Sequence, residues 1–474
     1  MEPQARSVTE HVEHVLALVA PLRAGTQDLE DALGSVLAED LYAATSVPPF
    51  DSAAMDGYAV RLADLPPDGS PVTLRVTGDV AAGPGGLADV GAGQAVRIMT
   101  GAPLPSGADA VIPVERTSTG RFVAGAPRAE ESVTLTRQPR PHVRCAAEDV
   151  RQGELLAHAG TEVTAALVGG LAASGAVRVP VRRRPLVAVI STGSELVPLG
   201  GVLGPGQITD SNGPMLAAAA RSAGADVVRF GPVPDDPEAL RRTLDRAVRA
   251  VRADRGADGG SVDGGSADGG SADGGGADLI VTAGGVSAGA ADVVREVLAA
   301  SKSGPEGGSG ATDVDVATVA MSPGKPQALA RWGSVPWLAL PGNPVGAYAS
   351  FELFARPAID RLRGEEASGR HHVCGVCYSE STLSTQSNAP RAVRLAAAAD
   401  WSGSPGRLLV LPVRLAPLPD VGAVGSTGAE RRGVVPTGSH HSLSALATAD
   451  GLALVPPDVE KVRAGDLVQV LMLR

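Results

Sequence analysis

Between residues 186 and 362 the chain repeats one pattern: a short apolar run, a turn rich in glycine or proline, then a helical stretch. LVAVI (186–190), DVVRFGPV (226–233), DLIVTAGG (278–285), TVAMSPGKP (318–326) and WLALPGNP (337–344) read as strands. MLAAAARSAGA (215–225), the Arg-rich segment 236–254, a segment ending near 298 and residues 344–362 read as helices. Strands alternating with helices predict a parallel, doubly wound sheet. Ligands of such sheets bind outside the carboxyl ends of the strands.

The flanks read differently. Val12, Val15, Leu16, Val19 and Leu22 recur at helical spacing and predict a helical region over 8–40. Pro48-Pro49 ends it and opens a β-rich stretch, 48–141, in which apolar runs lie between Gly/Pro turns. TEVTAALVGGLAASGAV (161–177) predicts another helix, and 370–474 returns to short strands, as in a small β-barrel or sandwich. The expected fold class is therefore α/β and multidomain. Its parts are 1–47 with 142–180, an inserted β-rich domain 48–141, an α/β domain 182–362 with a parallel sheet, and a barrel-like tail 366–474.

Residues 257–276 are four pentads, ADGGS, VDGGS, ADGGS and ADGGG, which read as a flexible surface loop. Their period of five matches neither a calcium-binding nonapeptide repeat nor an EF-hand loop. This loop joins a helix to the start of a strand, so it attaches away from the carboxyl edge, as does the insert 301–313.

Composition removes several function classes. The net charge of -11 gives no basic face for nucleic acid. No apolar stretch reaches the roughly 18 residues of a membrane span, and MEPQARSVTEHVEHVL lacks a signal-peptide pattern. Three cysteines make no disulfide framework, so a cytoplasmic protein is expected. Aromatics are only 3%, so Ala, Val and Leu must fill the cores.

Four turns fall at the carboxyl edge: Ser191-Thr192-Gly193-Ser194-Glu195, Ala283-Gly284-Gly285-Val286-Ser287, Ser322-Pro323-Gly324-Lys325-Pro326 and Leu340-Pro341-Gly342-Asn343-Pro344. Glycines admit close backbone approach, and the helix N-termini that follow favour anions. Thr192, Ser194 and Ser287 bring hydroxyls, and Lys325 brings a charge. These turns are neither a dinucleotide fingerprint nor a P-loop. Together they predict an anion or nucleotide site. Glu195, Asp235 and Asp292 stand among them, a set suited to hydrated Mg²⁺ beside a phosphate, although Asp292 and Asp236 also fit helix capping. VPPFDSAAMDGYAV (47–60) gathers Asp51, Asp56 and Gly57 with Phe50, Met55 and Tyr58, more than a plain chain reversal needs.

These segments resemble the molybdopterin molybdenumtransferases, the MoeA and gephyrin E-domain family. The similarity runs in order through PPFDSAAMDGYAV, RIMTGAPLPSGADAVIPVE (97–115), VRCAAEDVRQGELLAHAGT (143–161), VAVISTGSEL, ITDSNGPML, DLIVTAGGVSAGAADVV, MSPGKP and LPGNPVGAYASFELF, across about residues 8–360. Residues 186–298 are also similar to a pterin-adenylyltransferase domain of the MogA type. The resemblance implies adenylylated molybdopterin and molybdate as substrates, Mg²⁺ as cofactor, AMP as product, and a homodimer through the elongated first region. Its site would join the sheet domain of one subunit to the tail of the other. It carries functional roles onto Asp56, Thr100, Asp149, Glu195, Asp235, Asp292 and Lys325, with Mg²⁺ on Glu195, Asp235 and Asp292. Thr192, Gly193, Ser194, Gly284, Gly285, Ser287, Gly324, Pro341, Gly342, Asn343 and Ser444 would bind the pterin adenylate.

The chain departs from the family at three places. Ser322 stands where Lys or Arg is frequent, Gly346 stands where Ser is common, and only Pro390-Arg391-Ala392-Val393-Arg394-Leu395 answers the family's basic run in the tail. A non-catalytic paralogue that keeps the pterin site is therefore a second reading. A pterin adenylyltransferase is a third, but it leaves the outer regions without a purpose. His371, His372, Cys374 and Cys377 offer zinc ligands without a second cysteine pair, so buried thiols on a strand fit them better.

Overall fold

A computed structural model describes residues 5–84, 89–118, 120–122, 130–250, 276–286, 292–301, 310–364, 392–418, 432–439 and 441–473. The chain divides into two compact units. One holds Met1–Gly25, Gly34–Val36 and Arg182–Arg474, the other Thr26–Leu33 and Leu37–Val181.

The larger unit is built on a six-stranded sheet. Its strands are β1 (Leu186–Thr192), β2 (Asp226–Val233), β3 (Leu279–Ala283), β4 (Ala311–Thr318), β5 (Pro326–Trp332) and β6 (Val335–Leu340), in the order β2-β1-β3-β6-β5-β4. The expected parallel sheet is present across β2, β1, β3 and β6. Its edge departs from that expectation, because β5 runs antiparallel to both β6 and β4. The reason is local: β5 and β6 are joined by only Gly333-Ser334, with Gly333 at φ 58°, a hairpin too tight for a crossover helix. TVAMSPGKP is accordingly the connection from β4 to β5 rather than a strand of its own, with Met321–Ser322 pairing on Leu408–Leu409 of the tail. Since β4 runs with the parallel strands, this turn still lies at their carboxyl edge.

Helices α1 (Asn212–Ser222), α2 (Pro237–Val248), α3 (Val293–Ser301) and α4 (Pro344–Ser350) cover the sheet. Successive strand residues point to opposite faces, and the core sorts accordingly. Val187, Val189, Leu279 and Val281 pack with Leu216 and Ala220 of α1 and with Phe351 and Phe354. Ala188, Ile190 and Ile280 face the other way, onto Leu240 and Leu244 of α2, Val297 of α3, Trp332 and Trp337. Helices on both faces of one sheet make three layers. The helix expected over 344–362 continues from α4 through a π-helical turn, Phe351–Ala355, into Arg356–Arg363.

The first helix is much shorter than its periodicity suggests. It runs Val8–Leu18, opens on a Ser7/Glu10 capping box and gives way to a strand at Ala24–Asp28. Pro21 explains the stop, since it lacks an amide hydrogen and disfavours helix in the residue before it. Val15 and Val19 pack into the core beside Phe354. In the tail, five strands pair antiparallel in the spatial order Ala392–Ala396, Leu467–Met472, Gly451–Val455, Leu408–Pro417 and Arg432–Pro436. The Ala398 amide donates to the Val434 carbonyl at 2.8 Å, which joins the two ends of this sheet into a barrel-like ring.

The smaller unit carries a five-stranded sheet of Gly57–Val60, Val72–Val80, Gln94–Ile98, Ala110–Pro113 and Ser132–Leu135, around a core containing Tyr58, Ile112 and Leu135. The helix expected over 161–177 is Ala165–Ala173, capped by Thr164. Among the described residues no helix is long and apolar enough to cross a membrane.

Candidate active site

The carboxyl edge of the larger unit is assembled from β1 outward. Thr192 is buried, and its hydroxyl lies 3.4 Å from the Ala283 carbonyl, tying the end of β1 to β3. Gly193 leaves the strand with its amide on the Val233 carbonyl, 2.9 Å away. A Cβ there would come within 2.7 Å of a Glu195 carboxylate oxygen, so the exposed Glu195 carboxylate lies over Gly193. Ser194 and Asp235 clasp each other. The Ser194 amide donates to Asp235 Oδ2 at 3.0 Å, and the Asp235 amide donates to Ser194 Oγ at 2.9 Å. This exchange fixes the turn after β1 against the one after β2. Asp236 caps α2 through the amides of Glu238 and Ala239, as its capping reading predicts.

The next turn depends on glycine. Gly284 has φ 106°, its amide reaches the Leu340 carbonyl, and a Cβ would sit 2.4 Å from the Thr192 carbonyl oxygen. No other residue fits that contact or that φ. Gly285 follows at φ 66°. Gly342 of the β6 turn lies against Gly284, a Cβ on it coming 3.5 Å from the Gly284 Cα. Pro341 precedes it. Asn343 caps α4 by accepting from the amides of Val345 and Gly346 at 3.1 and 3.2 Å.

Gly324 is buried at φ 114°, and its carbonyl accepts from Gln327 Nε2 at 2.8 Å. Lys325 is exposed on the same turn, its backbone carbonyl held by the Val319 amide. A Cβ on Gly346 would meet the Gly324 nitrogen at 3.4 Å, so two features singled out in the sequence, Gly346 and the Ser322–Pro326 turn, are neighbours. Ser444 is exposed on the short helix Leu443–Ala447, with its Oγ 2.9 Å from Ser442 Oγ. Leu446 of that helix shares a core with Val345 of α4.

Two functional candidates escaped the sequence reading, though both stand in ITDSNGPML. Asp210 is buried, accepting from Ser191 Oγ at 2.7 Å and from the Gly213 amide at 2.9 Å. Asn212, also buried, donates from Nδ2 to the Gly342 carbonyl at 2.7 Å. They bind the start of α1 to β1 and to the β6 turn. The only signal in the sequence was polar residues ahead of a helix, which capping already explains.

The donor set can be tested against a divalent cation. Asp292 Oδ2, just before α3, is buried without a hydrogen-bond partner among the described residues. A buried carboxylate oxygen with no donor calls for a cation or water. Asp235 has one oxygen committed to Ser194, and Glu195 is exposed. Among the described residues no three His, Cys, Asp or Glu side chains gather into a closed metal cage. Oxygen ligands supplied by one or two carboxylates, with water and phosphate completing the shell, suit Mg²⁺.

Asp56, Thr100 and Asp149 belong to the smaller unit. Asp56 Oδ1 accepts from both the amide and the hydroxyl of Thr100, at 2.7 and 2.8 Å. These two bonds hold the exposed Asp56 carboxyl below the usual carboxylate range. Asp149 pairs with Arg144, and Asp51 Oδ1 accepts from the Ala146 amide at 2.7 Å. Ser287, His371, His372, Cys374, Cys377, Pro390, Arg391 and the pentads over 257–275 lie outside the described residues.

Comparison with known proteins matches residues 6–175 to the MoeA N-terminal region, domains I and II. Residues 188–254 and 271–361 match a probable molybdopterin binding domain, and 394–473 match the MoeA C-terminal region, domain IV. Molybdopterin molybdenumtransferase 2 of Mycobacterium tuberculosis is 38% identical over 471 residues, 98% of this chain and 99% of that protein. The molybdopterin molybdenumtransferase of Bacillus subtilis is 31% identical over 450 residues, 94% of this chain and 89% of that protein. The crystal structure of a molybdopterin biosynthesis MoeA protein from Pyrococcus horikoshii aligns with TM-score 0.68 and 27% identity, covering 99% of this chain and all of that one.

Proposed function

This chain belongs to the MoeA family, and we propose from that premise that it is a molybdopterin molybdenumtransferase of the cytoplasm. It takes adenylylated molybdopterin and molybdate, cleaves the phosphoanhydride, places molybdenum on the dithiolene and releases AMP. The observation that carries this assignment of the site is Asp292 Oδ2, buried and without a hydrogen-bond partner among the described residues, at the edge where the Gly193, Gly284 and Gly342 turns meet.

The residues present divide the work. Gly284 and Gly285 let the backbone come close to phosphate, and the N-termini of α1 and α3 favour its charge. The Ser194–Asp235 clasp holds the wall beside it. Asp292 and Asp235 would hold Mg²⁺, with Glu195 reaching it directly or through water. When bound, that ion supplies positive charge to the anhydride oxygens. Lys325, exposed on its turn, attracts the anionic end of the substrate or the molybdate dianion. Asp56, kept ionised by Thr100, and Asp149, paired with Arg144, are assigned to molybdate insertion in the assembled homodimer.

Ser322 and Gly346 favour one alternative, a protein that binds the pterin adenylate without inserting molybdate. Incubating purified protein with adenylylated molybdopterin, Mg²⁺ and molybdate separates the two. The assignment expects AMP together with molybdenum cofactor that activates a molybdoenzyme apoprotein. Binding without either product would overturn it in favour of the alternative.

A further inference from the structure

Asn212 has an unusual environment at this edge. It is only 7% exposed, at the first residue of α1. Its Nδ2 donates to the Gly342 carbonyl at 2.7 Å. A backbone carbonyl can only accept, so the amide cannot be turned round, and Oδ1 must face away from Gly342. That oxygen is buried and has no hydrogen-bond partner among the described residues. Its surroundings are fixed. Asp210 anchors the same turn to Ser191 and Gly213, and Gly342 lies on Gly284. A rigid, buried acceptor whose lone pairs are unengaged among the described residues, placed between the ends of β1, β3 and β6, is built to receive a donor.

We propose that Asn212 Oδ1 is a specificity-determining acceptor that takes a hydrogen bond from an N–H on the edge of the bound heterocycle. This rests on the assignment of the pterin-adenylate site. Asp292, Lys325 and the glycine turns address the phosphates, whose oxygens only accept. They cannot satisfy Asn212 Oδ1, and they do not distinguish one base from another. A ring N–H or exocyclic amine can do both, and both pterin and adenine carry such donors. A site whose buried acceptor is left unpaired rejects an analogue that lacks the donor.

The test uses the full-length protein and Asn212→Leu, which keeps the branched heavy-atom skeleton and removes both polar groups. Binding of adenylylated molybdopterin, molybdopterin, AMP, inosine monophosphate and ribose 5-phosphate is measured for each by calorimetry. The variant should bind adenylylated molybdopterin about tenfold more weakly or worse. If the donor is the adenine amine, AMP weakens in parallel, and the wild-type preference for AMP over inosine monophosphate disappears. If it is on the pterin, molybdopterin weakens and AMP does not. Ribose 5-phosphate, which has no base, should bind both proteins alike. Equal affinities for all base-bearing ligands in a variant that melts like the wild type would overturn the proposal and assign Oδ1 to water. Should Asn212→Leu not fold, Asn212→Ala carries the same comparison. If the wild type binds neither pterin compound, the assignment of the site falls first; if it binds and the variant is unaffected, only the role of Asn212 falls.

Discussion

Replacing Gly284 by alanine probes the joint on which the site turns. The new Cβ would lie 2.4 Å from the Thr192 carbonyl oxygen and 2.7 Å from its Oγ1, at φ 106°. Carbon contacts are most favourable near 3.5 Å, so the turn must move by roughly 1 Å. A side chain held in that backbone region costs about 1–3 kcal/mol, and forcing an extra methyl into a packed site costs about 1–3 kcal/mol more. Gly333 supplies the control within the same unit. It has φ 58° and nothing within 4 Å of a built Cβ, so alanine there costs only the left-handed conformation, about 1–2 kcal/mol. By thermal melting, Gly284→Ala should lower the midpoint by roughly 10 °C and Gly333→Ala by roughly 3 °C. Binding of AMP should weaken only in the first. Equal shifts, or an unchanged AMP affinity in Gly284→Ala, would refute the close-contact argument.

Three further outcomes are expected. Burial against Phe354 pushes His11 down to about 4, with Arg6 adding to the shift, Asp315 opposing it and His14 contributing slightly. Because the unfolded chain takes up the His11 proton first, stability is complete above about pH 6.5 and falls on the order of 3 kcal/mol as pH drops toward 4. His11→Phe should flatten that slope in melting curves recorded from pH 4 to 7.5, and an unchanged slope would put the titration elsewhere. Segment 257–276 attaches between the end of α2 and the start of β3, at the amino end of the sheet, so its deletion should leave AMP release within about twofold and stability within about 1 kcal/mol; loss of ligand binding by the folded deletion would show that the segment reaches the site. Light scattering should give twice the 47.5 kDa chain mass, and a single chain at working concentration would remove the homodimer.

The α/β layer was legible because it is written locally. Leu186–Ile190 is an unbroken apolar run and Leu279–Ala283 is broken only by Thr282, and their turns need glycine for backbone reasons that hold in any context. The overlong first helix shows the limit of periodicity: Val19 and Leu22 keep the spacing, yet Pro21 interrupts the hydrogen bonding. The antiparallel edge was hidden because 318–326 ends in the same Gly/Pro chemistry as a true strand end, and only pairing shows that Ala311–Thr318 and Pro326–Trp332 flank it. Asp210 and Asn212 were missed for a different reason. Their meaning lies in burial and in partners far along the chain, Ser191 and Gly342, which composition does not reveal.

The central claim is that acids at the carboxyl edge serve cleavage of the anhydride rather than holding helices in place. Asp292→Asn tests it most directly, because asparagine keeps the shape and any capping bond while removing the charge on the buried Oδ2. An interaction that strengthens only as charge builds on the leaving phosphate affects turnover more than affinity. Single-turnover release of AMP from adenylylated molybdopterin, with Mg²⁺ present, should slow by on the order of a hundredfold, while the dissociation constant of the adenylate changes by less than about threefold. AMP release at the wild-type rate would reduce Asp292 to a helix cap and contradict the account.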